Sequence, residues 1–278
     1  GGGLSGKNVM SYGEFPAYAN NHTNDSLMMP QGAILNGDLS TVYDVDPRDP
    51  EQIQEYVNHS WYTYADESKG LHPWDGVTEA KFELGPNLKG TRTNIKQIDE
   101  GAKYSWIKAP RWRGHAMEVG PLARYIIGYA RGREDFKEVV DSALSALGVP
   151  APALFSTLGR TAARGLETVA IGDAMQGWIM ELVENLKSGD TKTYQAWEMP
   201  DTGMGVGLND VARGSLGHWI EIENKKIKNY QYVVPSTWNL GPRDENGKLG
   251  PVEEALIGTP IADPKRPLEV LRTVHSFD

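Results

Sequence analysis

One stretch restricts the possible folds more than any other: STLGRTAARGLETVAIGDAMQGWIMELVENLKSGD, which starts at Ser156. Ser156 can cap a helix. Leu158, Ala162, Leu166, Val169, Met175, Trp178, Ile179, Leu182, Val183 and Leu186 then keep helical spacing up to a stop at Gly189. The spacing predicts either one helix of about 30 residues or two helices broken near Gly172, a length that favours a bundle. Small residues at Ala162, Ala163, Gly165, Ala170 and Gly172 would let neighbouring helices approach. Met175 and Trp178 are expected in the core.

Two further helices precede it. EVGPLARYIIGYARG has Pro121 near its start and a stripe of Leu122, Tyr125, Ile126 and Tyr129. EDFKEVVDSALSALGVP spaces Phe136, Val139, Val140, Ala143, Leu144 and Leu147 on one side and ends at Gly148 and Pro150. Residues 1–80 are punctuated by Gly, Pro, Asn and Asp and read as short strands and loops, with a turn at Asn36-Gly37. Within them, Asp49 as cap and Pro50 at the first position predict a helix carrying Ile53, Tyr56 and Val57 on one face. Residues 99–118 are rich in Lys, Arg, Trp and Tyr and read as a solvated basic patch or an interdomain seam. His115 and Glu118, at i and i+3, are a weak metal signal without a third ligand. After the helices, residues 191–210 read as a loop. His218–Glu223 and Ile227–Val234 alternate as a hairpin turning at Asn224-Lys225-Lys226. A turn at Asn246-Gly247, a short helix over 252–257 and a last helix over 268–274 complete the chain. The fold class expected is α+β and predominantly helical, a long-helix bundle with small peripheral sheets and hairpins, as a single domain over 1–278.

Composition removes several function classes. The 278 residues carry a formal net charge of -9, which argues against a nucleic-acid partner because phosphate pairing needs a basic face. The same charge opposes docking on anionic lipid. No apolar run approaches the roughly 20 residues needed to span a bilayer. There is no cysteine, so disulfides, thiolate metal sites and cysteine nucleophiles are absent from this sequence. The dinucleotide, phosphate-loop, zinc-protease and serine-hydrolase signatures are missing. Gly203, Gly205 and Gly207 form a GxGxG that precedes no helix. Eight Trp and twelve Tyr would suit a sugar cleft, but no pair of acids can be singled out for glycoside hydrolysis.

Residues 205–239 carry the clearest site signal. Arg213 stands in a tight turn between Ala212 and Gly214, and Pro235, Ser236 and Thr237 close a run of apolar and aromatic residues with two hydroxyls. A lone arginine beside a polar corner suggests the wall of a site.

Several segments then fall into a recognisable order. They are SYGEFP (11–16), GAILNGDL (32–39), HSWY (59–62), GLHPWDG (70–76) and EGAKYSWIKAPRWRGHAMEVGPLAR (100–124), followed by STLGRTAAR (156–164), RGSLGHW (213–219), NYQYVVPSTWN (229–239) and LRTVHSFD (271–278). The order resembles the large, catalytic subunit of the nickel-iron hydrogenases, in its respiratory, uptake-type branch. In that family four cysteines, two near each terminus, hold a nickel and an iron, and the iron also carries carbon monoxide and cyanide. The resemblance implies an internal fragment lacking both Cys-x-x-Cys elements, which would leave the fragment inactive alone.

Carried over residue by residue, the resemblance makes Arg213 the arginine that overhangs the open coordination position, where it polarises dihydrogen or accepts its proton. A guanidinium is normally protonated, so that role demands unusual surroundings. Asp278 becomes the acid that holds Arg213. Ser236 becomes the hydroxyl donating to an iron-bound cyanide, with Pro235 packed beside it. The Tyr232 carbonyl falls where the family places a ligand to a separate magnesium. The family's proline before the site arginine is Ala212 here, which loosens the expected aim of Arg213. The bland alternatives are a structural arginine in a turn and a serine capping its own corner. The implied activity is reversible oxidation of dihydrogen to protons and electrons, passed to an iron-sulfur small subunit in a heterodimer and through it to a membrane cytochrome b. The implied location is periplasmic, with membrane association through partners. A second function class is a metal-free structural or interaction subunit of a redox complex descended from the same family.

Overall fold

The structure is a computed structural model that describes residues 2–17, 21–80 and 103–277. Its first half holds β1 (Val9–Pro16), β2 (Leu27–Ile34), β3 (Ile53–Tyr56), β4 (Tyr62–Thr63), β5 (Glu79–Ala80), β6 (Ala109–Trp112) and β7 (Glu118–Val119). Helices α1 (Pro121–Ala130), α2 (Glu134–Leu147) and α3 (Thr157–Lys187) follow. The second half holds β8 (Thr202–Val211), β9 (Gly214–Glu223) and β10 (Lys226–Val233), then α4 (Pro235–Leu240), α5 (Pro251–Leu256) and α6 (Leu268–Ser276). This is the α+β class expected, with helices and small sheets.

β1 divides two cores. It lies between β2, antiparallel, and β7, parallel, with Val9 opposite both Ile34 and Glu118. Side chains alternate across a strand. Val9 therefore joins Leu122, Ile126, Phe136 and Val140 under the helices, while Met10 and Tyr12 join Trp112, Trp219 and Trp238 on the other face.

The helix ends follow their local signals. Pro121 opens α1, Gly148 closes α2 at φ 64, and the Ser156 hydroxyl accepts from Gly159 N at 3.2 Å to cap α3. α3 is one unbroken helix of 31 residues. It packs on α1 and α6 near its N-terminal end, where Gly159, Arg160 and Ala163 are buried. Gly159 is required there, because a Cβ would lie 2.0 Å from the Leu154 carbonyl oxygen. Farther along, Met175 and Trp178 are 50% and 36% exposed, so the expectation that they are core residues fails among the described residues. Helical spacing marks the face that favours burial but does not supply the neighbour that buries it. Phe15 is one contact, with ring centroids 4.9 Å from Trp178.

Three other expectations are corrected. The helix after Asp49 is a strand, β3, paired antiparallel with β6 from Ile53↔Trp112 to Tyr56↔Ala109. Asp49 spends its capping oxygen on a local turn, accepting from Glu51 N at 2.9 Å, and the distant β6 then claims the backbone. The middle of 99–118 is not a solvated patch, since residues 108–112 are buried. Lys108 is buried against Glu55, and Arg111 donates to Asp244 Oδ2 at 3.0 Å with both groups buried. Burial pushes the Glu55 carboxyl up, and Lys108 opposes that rise. Finally, 202–211 is no loop. β8 pairs along its whole length with β9, from Thr202↔Glu223 to Val211↔Gly214, and β10 completes an antiparallel sheet. Its glycines at 203, 205 and 207 sit opposite Ile222, Ile220 and His218. They belong to one face of a strand. The β9–β10 turn is Asn224-Lys225, at φ 53 and 58, as a two-residue hairpin of this twist requires.

Candidate functional site

The β8–β9 hairpin leaves Ala212 and Arg213 as its turn, because Val211↔Gly214 is the last pair. Behind the turn stands the junction of β7 and α1. Gly214 sits at φ 127, and a Cβ there would come within 2.6 Å of both Gly120 N and Val119 Cγ2. Gly120, at φ 126, would in turn place a Cβ 3.0 Å from the Arg213 carbonyl oxygen. Two glycine backbones thus touch where no side chain fits. Arg213 is exposed at this tip. Gly214→Ala should lower folding stability by roughly 1–3 kcal/mol, from left-handed strain plus overpacking. Urea unfolding of the full-length protein checks this, and an unchanged midpoint would mean that the tip has room for a methyl group.

Helix α4 approaches the same corner from the other side. Val234 is its N-cap, Pro235 its first residue and Ser236 its second. Pro235 is buried and Ser236 half-buried. Asn239, three residues beyond Ser236, is fully buried. Its Oδ1 accepts from Val119 N at 2.9 Å, and its Nδ2 donates to the carbonyls of Val119 and Phe277, each at 3.0 Å. These partners fix the amide orientation, since only one assignment satisfies all three. One side chain therefore ties α4 to β7 and to the end of α6.

The end of α6 is held from a third direction. The Arg160 guanidinium lies 3.7 Å from the centre of the Phe277 ring. The same group donates to Glu118 Oε1 and Oε2 at 2.7 and 3.1 Å and to the Gly3 carbonyl at 2.8 Å. Arg164 Nη2 donates to the Ser276 carbonyl at 2.8 Å. The backbone leading into residue 278 is therefore anchored at two consecutive carbonyls.

The sequence-expected residues are distributed as follows. The Arg213 turn meets the Val119–Gly120 corner directly, whereas α4, which Pro235 and Ser236 open, reaches Val119 through Asn239, and the same amide holds the Phe277 carbonyl. Asp278 lies outside the described residues. Tyr232 lies in β10 opposite His218, and the two rings stack at 5.8 Å. No group of three His, Cys, Asp or Glu that could hold a metal occurs among the described residues, at Tyr232 or elsewhere. Of the His115 and Glu118 pair, the Glu118 carboxylate is engaged by Arg160, and no third metal-binding side chain joins them among the described residues.

Arg124, Arg160 and Asn239 escaped sequence reasoning. Each is a polar side chain within an apolar or small-residue run, at PLARYII, TLGRTAA and PSTWN. That placement is itself a signal, because a buried charge or amide needs a dedicated partner.

The site can offer guanidinium and hydroxyl hydrogen-bond donors around one rigid corner. Among the described residues it offers no group of three His, Cys, Asp or Glu for a metal. The family model described as "Nickel-dependent hydrogenase" matches residues 1–278. An uptake hydrogenase large subunit from Rhizobium leguminosarum bv. viciae is 59% identical over 283 residues, covering 100% of this chain and 48% of the relative. One from Bradyrhizobium diazoefficiens is 56% identical with the same coverage. Among solved structures, the reduced, active form of the Ni-Fe-Se hydrogenase from Desulfomicrobium baculatum aligns with a TM-score of 0.74 at 30% identity, over 99% of this chain and 51% of that one. The chain spans about half the length of the relatives it matches.

Proposed function

We propose, on the premise that this chain belongs to the nickel-dependent hydrogenase family, that it is part of a catalytic large subunit oxidising dihydrogen reversibly to two protons and two electrons. The observation that carries the reading is the Val119–Gly120 corner, where the Arg213 turn, α4 and the end of α6 are locked together.

The residues fit the surroundings of a nickel-iron centre and not its ligands. There is no cysteine, and no metal-holding cluster exists among the described residues. Under this reading the thiolate ligands of the centre are not among these residues. A bound centre would supply the two-electron chemistry of H–H cleavage. The contributions of this chain are narrower. Arg213 presents its guanidinium from a turn fixed in backbone position, where it can polarise dihydrogen and take part in moving its proton. Asp278, directly after the anchored Phe277, would hold that guanidinium through a charge-assisted pair. Ser236 would donate its hydroxyl to an iron-bound cyanide, and Pro235 fixes the backbone angle at the helix start. The Tyr232 carbonyl would be at most one oxygen of a magnesium site completed elsewhere.

Electrons require an exit, and the cysteine-free chain supplies no thiolates for an iron-sulfur cluster to carry them. An iron-sulfur small subunit is the partner this reading requires, with a membrane cytochrome b beyond it and a periplasmic site of action. No helix among the described residues is long and apolar enough to cross a membrane.

The test is purification of the full-length gene product with its co-purifying partner, followed by nickel and iron analysis and hydrogen-dependent dye reduction. Stoichiometric nickel with dye reduction is the expected result. A folded complex with neither would favour a metal-free structural subunit and overturn the proposal.

A further inference from the structure

The Arg124 side chain uses every hydrogen it has. It is 1% exposed on the first turns of α1. Nε and Nη2 donate to Glu167 Oε2 and Oε1 of α3 at 2.7 and 2.6 Å. Nη1 donates to Asp210 Oδ1 and, at 3.0 Å, to the Val211 carbonyl. The second hydrogen of Nη2 goes to the Ala212 carbonyl at 3.1 Å. Five donors thus meet five acceptors, and two of those are the consecutive carbonyls that lead into Arg213.

Asp210 extends the grip. Its Oδ2 accepts from Ser215 Oγ and from Tyr12 N, both at 2.7 Å, and its own N–H donates to Glu14 Oε2 at 2.6 Å. The hairpin is therefore pinned on both strands around the turn. From the same end of α1, Gly120 meets the Arg213 carbonyl, and the Arg124 amide donates to the Gly120 carbonyl at 3.1 Å. One short segment, Gly120 to Arg124, thus holds the turn from two sides. Burial opposes the charge on Arg124, but Asp210 and Glu167 outweigh it and hold the guanidinium proton more firmly than usual. A buried ion pair alone would explain the two carboxylates. It does not explain why the remaining two hydrogens are spent on the backbone of an exposed turn whose Ala212 puts no ring restraint on the chain.

We infer that Arg124 is a positioning residue: it sets the aim of the Arg213 guanidinium by clamping the Val211 and Ala212 carbonyls. The inference rests on the catalytic reading of Arg213. Arg124→Lys keeps the charge but cannot span both carboxylates and both carbonyls, because an ammonium lacks the planar fork.

In the full-length complex, Arg124→Lys should lower kcat for dihydrogen oxidation by about tenfold, as expected for a misaimed group rather than a missing one. KM for dihydrogen should stay within about twofold, because Arg124 touches no substrate. Amide hydrogen exchange of 210–215 should accelerate while that of 125–130 stays unchanged, a readout independent of metal content. Adding Ala212→Pro should recover part of the lost kcat by restraining the turn. A nickel-replete Arg124→Lys enzyme with wild-type kcat and wild-type exchange at 210–215 overturns the inference. If that variant does not fold, Glu167→Gln reads the same clamp, with about a threefold kcat loss expected from weakening one charge-assisted pair, and unchanged kcat and exchange overturning it. A wild-type complex without nickel or dihydrogen oxidation defeats the functional reading instead, while the exchange pattern still reports on the clamp.

Discussion

Arg213→Lys in the full-length, nickel-loaded complex should lower kcat for dihydrogen oxidation by about 100-fold or more, the usual scale for losing one preorganised charge-stabilising group. The substitution keeps a positive charge at the same turn, so the loss reports geometry. A guanidinium presents a planar fork of donors, whereas an ammonium is a compact, strongly hydrated point charge. The backbone beneath the side chain does not adapt to the change. Gly120 and Gly214 are in contact there, and Arg124 holds the two preceding carbonyls. Nickel content and the urea midpoint should remain those of the wild type, because the side chain is exposed at a turn. Hydrogen-dependent dye reduction at matched nickel content measures the effect. A kcat within about threefold of wild type would reduce Arg213 to a structural turn residue and remove the main support for its catalytic role.

Arg160→Met should cost about 3–5 kcal/mol of folding stability, the range for breaking a buried ion pair from one side. Arg160 and Glu118 are 2% and 3% exposed in their side chains, so the carboxylate would be left uncompensated. The Gly3 carbonyl would lose its donor and the Phe277 ring its cation. The cost would reach the site, because Phe277 leads directly into Asp278 and shares Asn239 with α4. Urea unfolding of the full-length large subunit should therefore show a lower midpoint, and metal incorporation should fall with it. The double variant Arg160→Met, Glu118→Leu should recover a good part of the loss, because most of the penalty lies in the orphaned charge. A single-variant cost below about 1 kcal/mol would mean that water or neighbouring donors already satisfy Glu118.

Both predictions concern residues held by groups distant in the chain, and they mark the limit of sequence reading. Arg213 was legible as a turn arginine and Ser236 as a hydroxyl in a polar corner, but that this corner opens α4 was not. Nor were the partners that make them one site. Val119 meets Asn239 across 120 positions, and Arg124 meets Ala212 across 88. No local pattern encodes which distant carbonyl a buried guanidinium will find.

What the sequence determined by itself was set by interactions within a few residues. Ser156 caps α3 through Gly159 N, Gly148 ends α2 in the left-handed region, and Asn224-Lys225 turns the hairpin. The ordered segments from 11 to 278 were legible too, and they carried the family. Tertiary structure decided the rest. It made a strand of Ile53–Tyr56 because β6 competes for its backbone, and it paired β8 where glycines had suggested a loop. It buried Lys108 and Arg111 in a stretch that reads as charged and exposed, and Arg124 within an apolar helix, since each found a carboxylate distant in the chain. Capping and turning cost little reach and are settled locally. Strand pairing and buried charge pairing exist only once the whole chain has closed on itself.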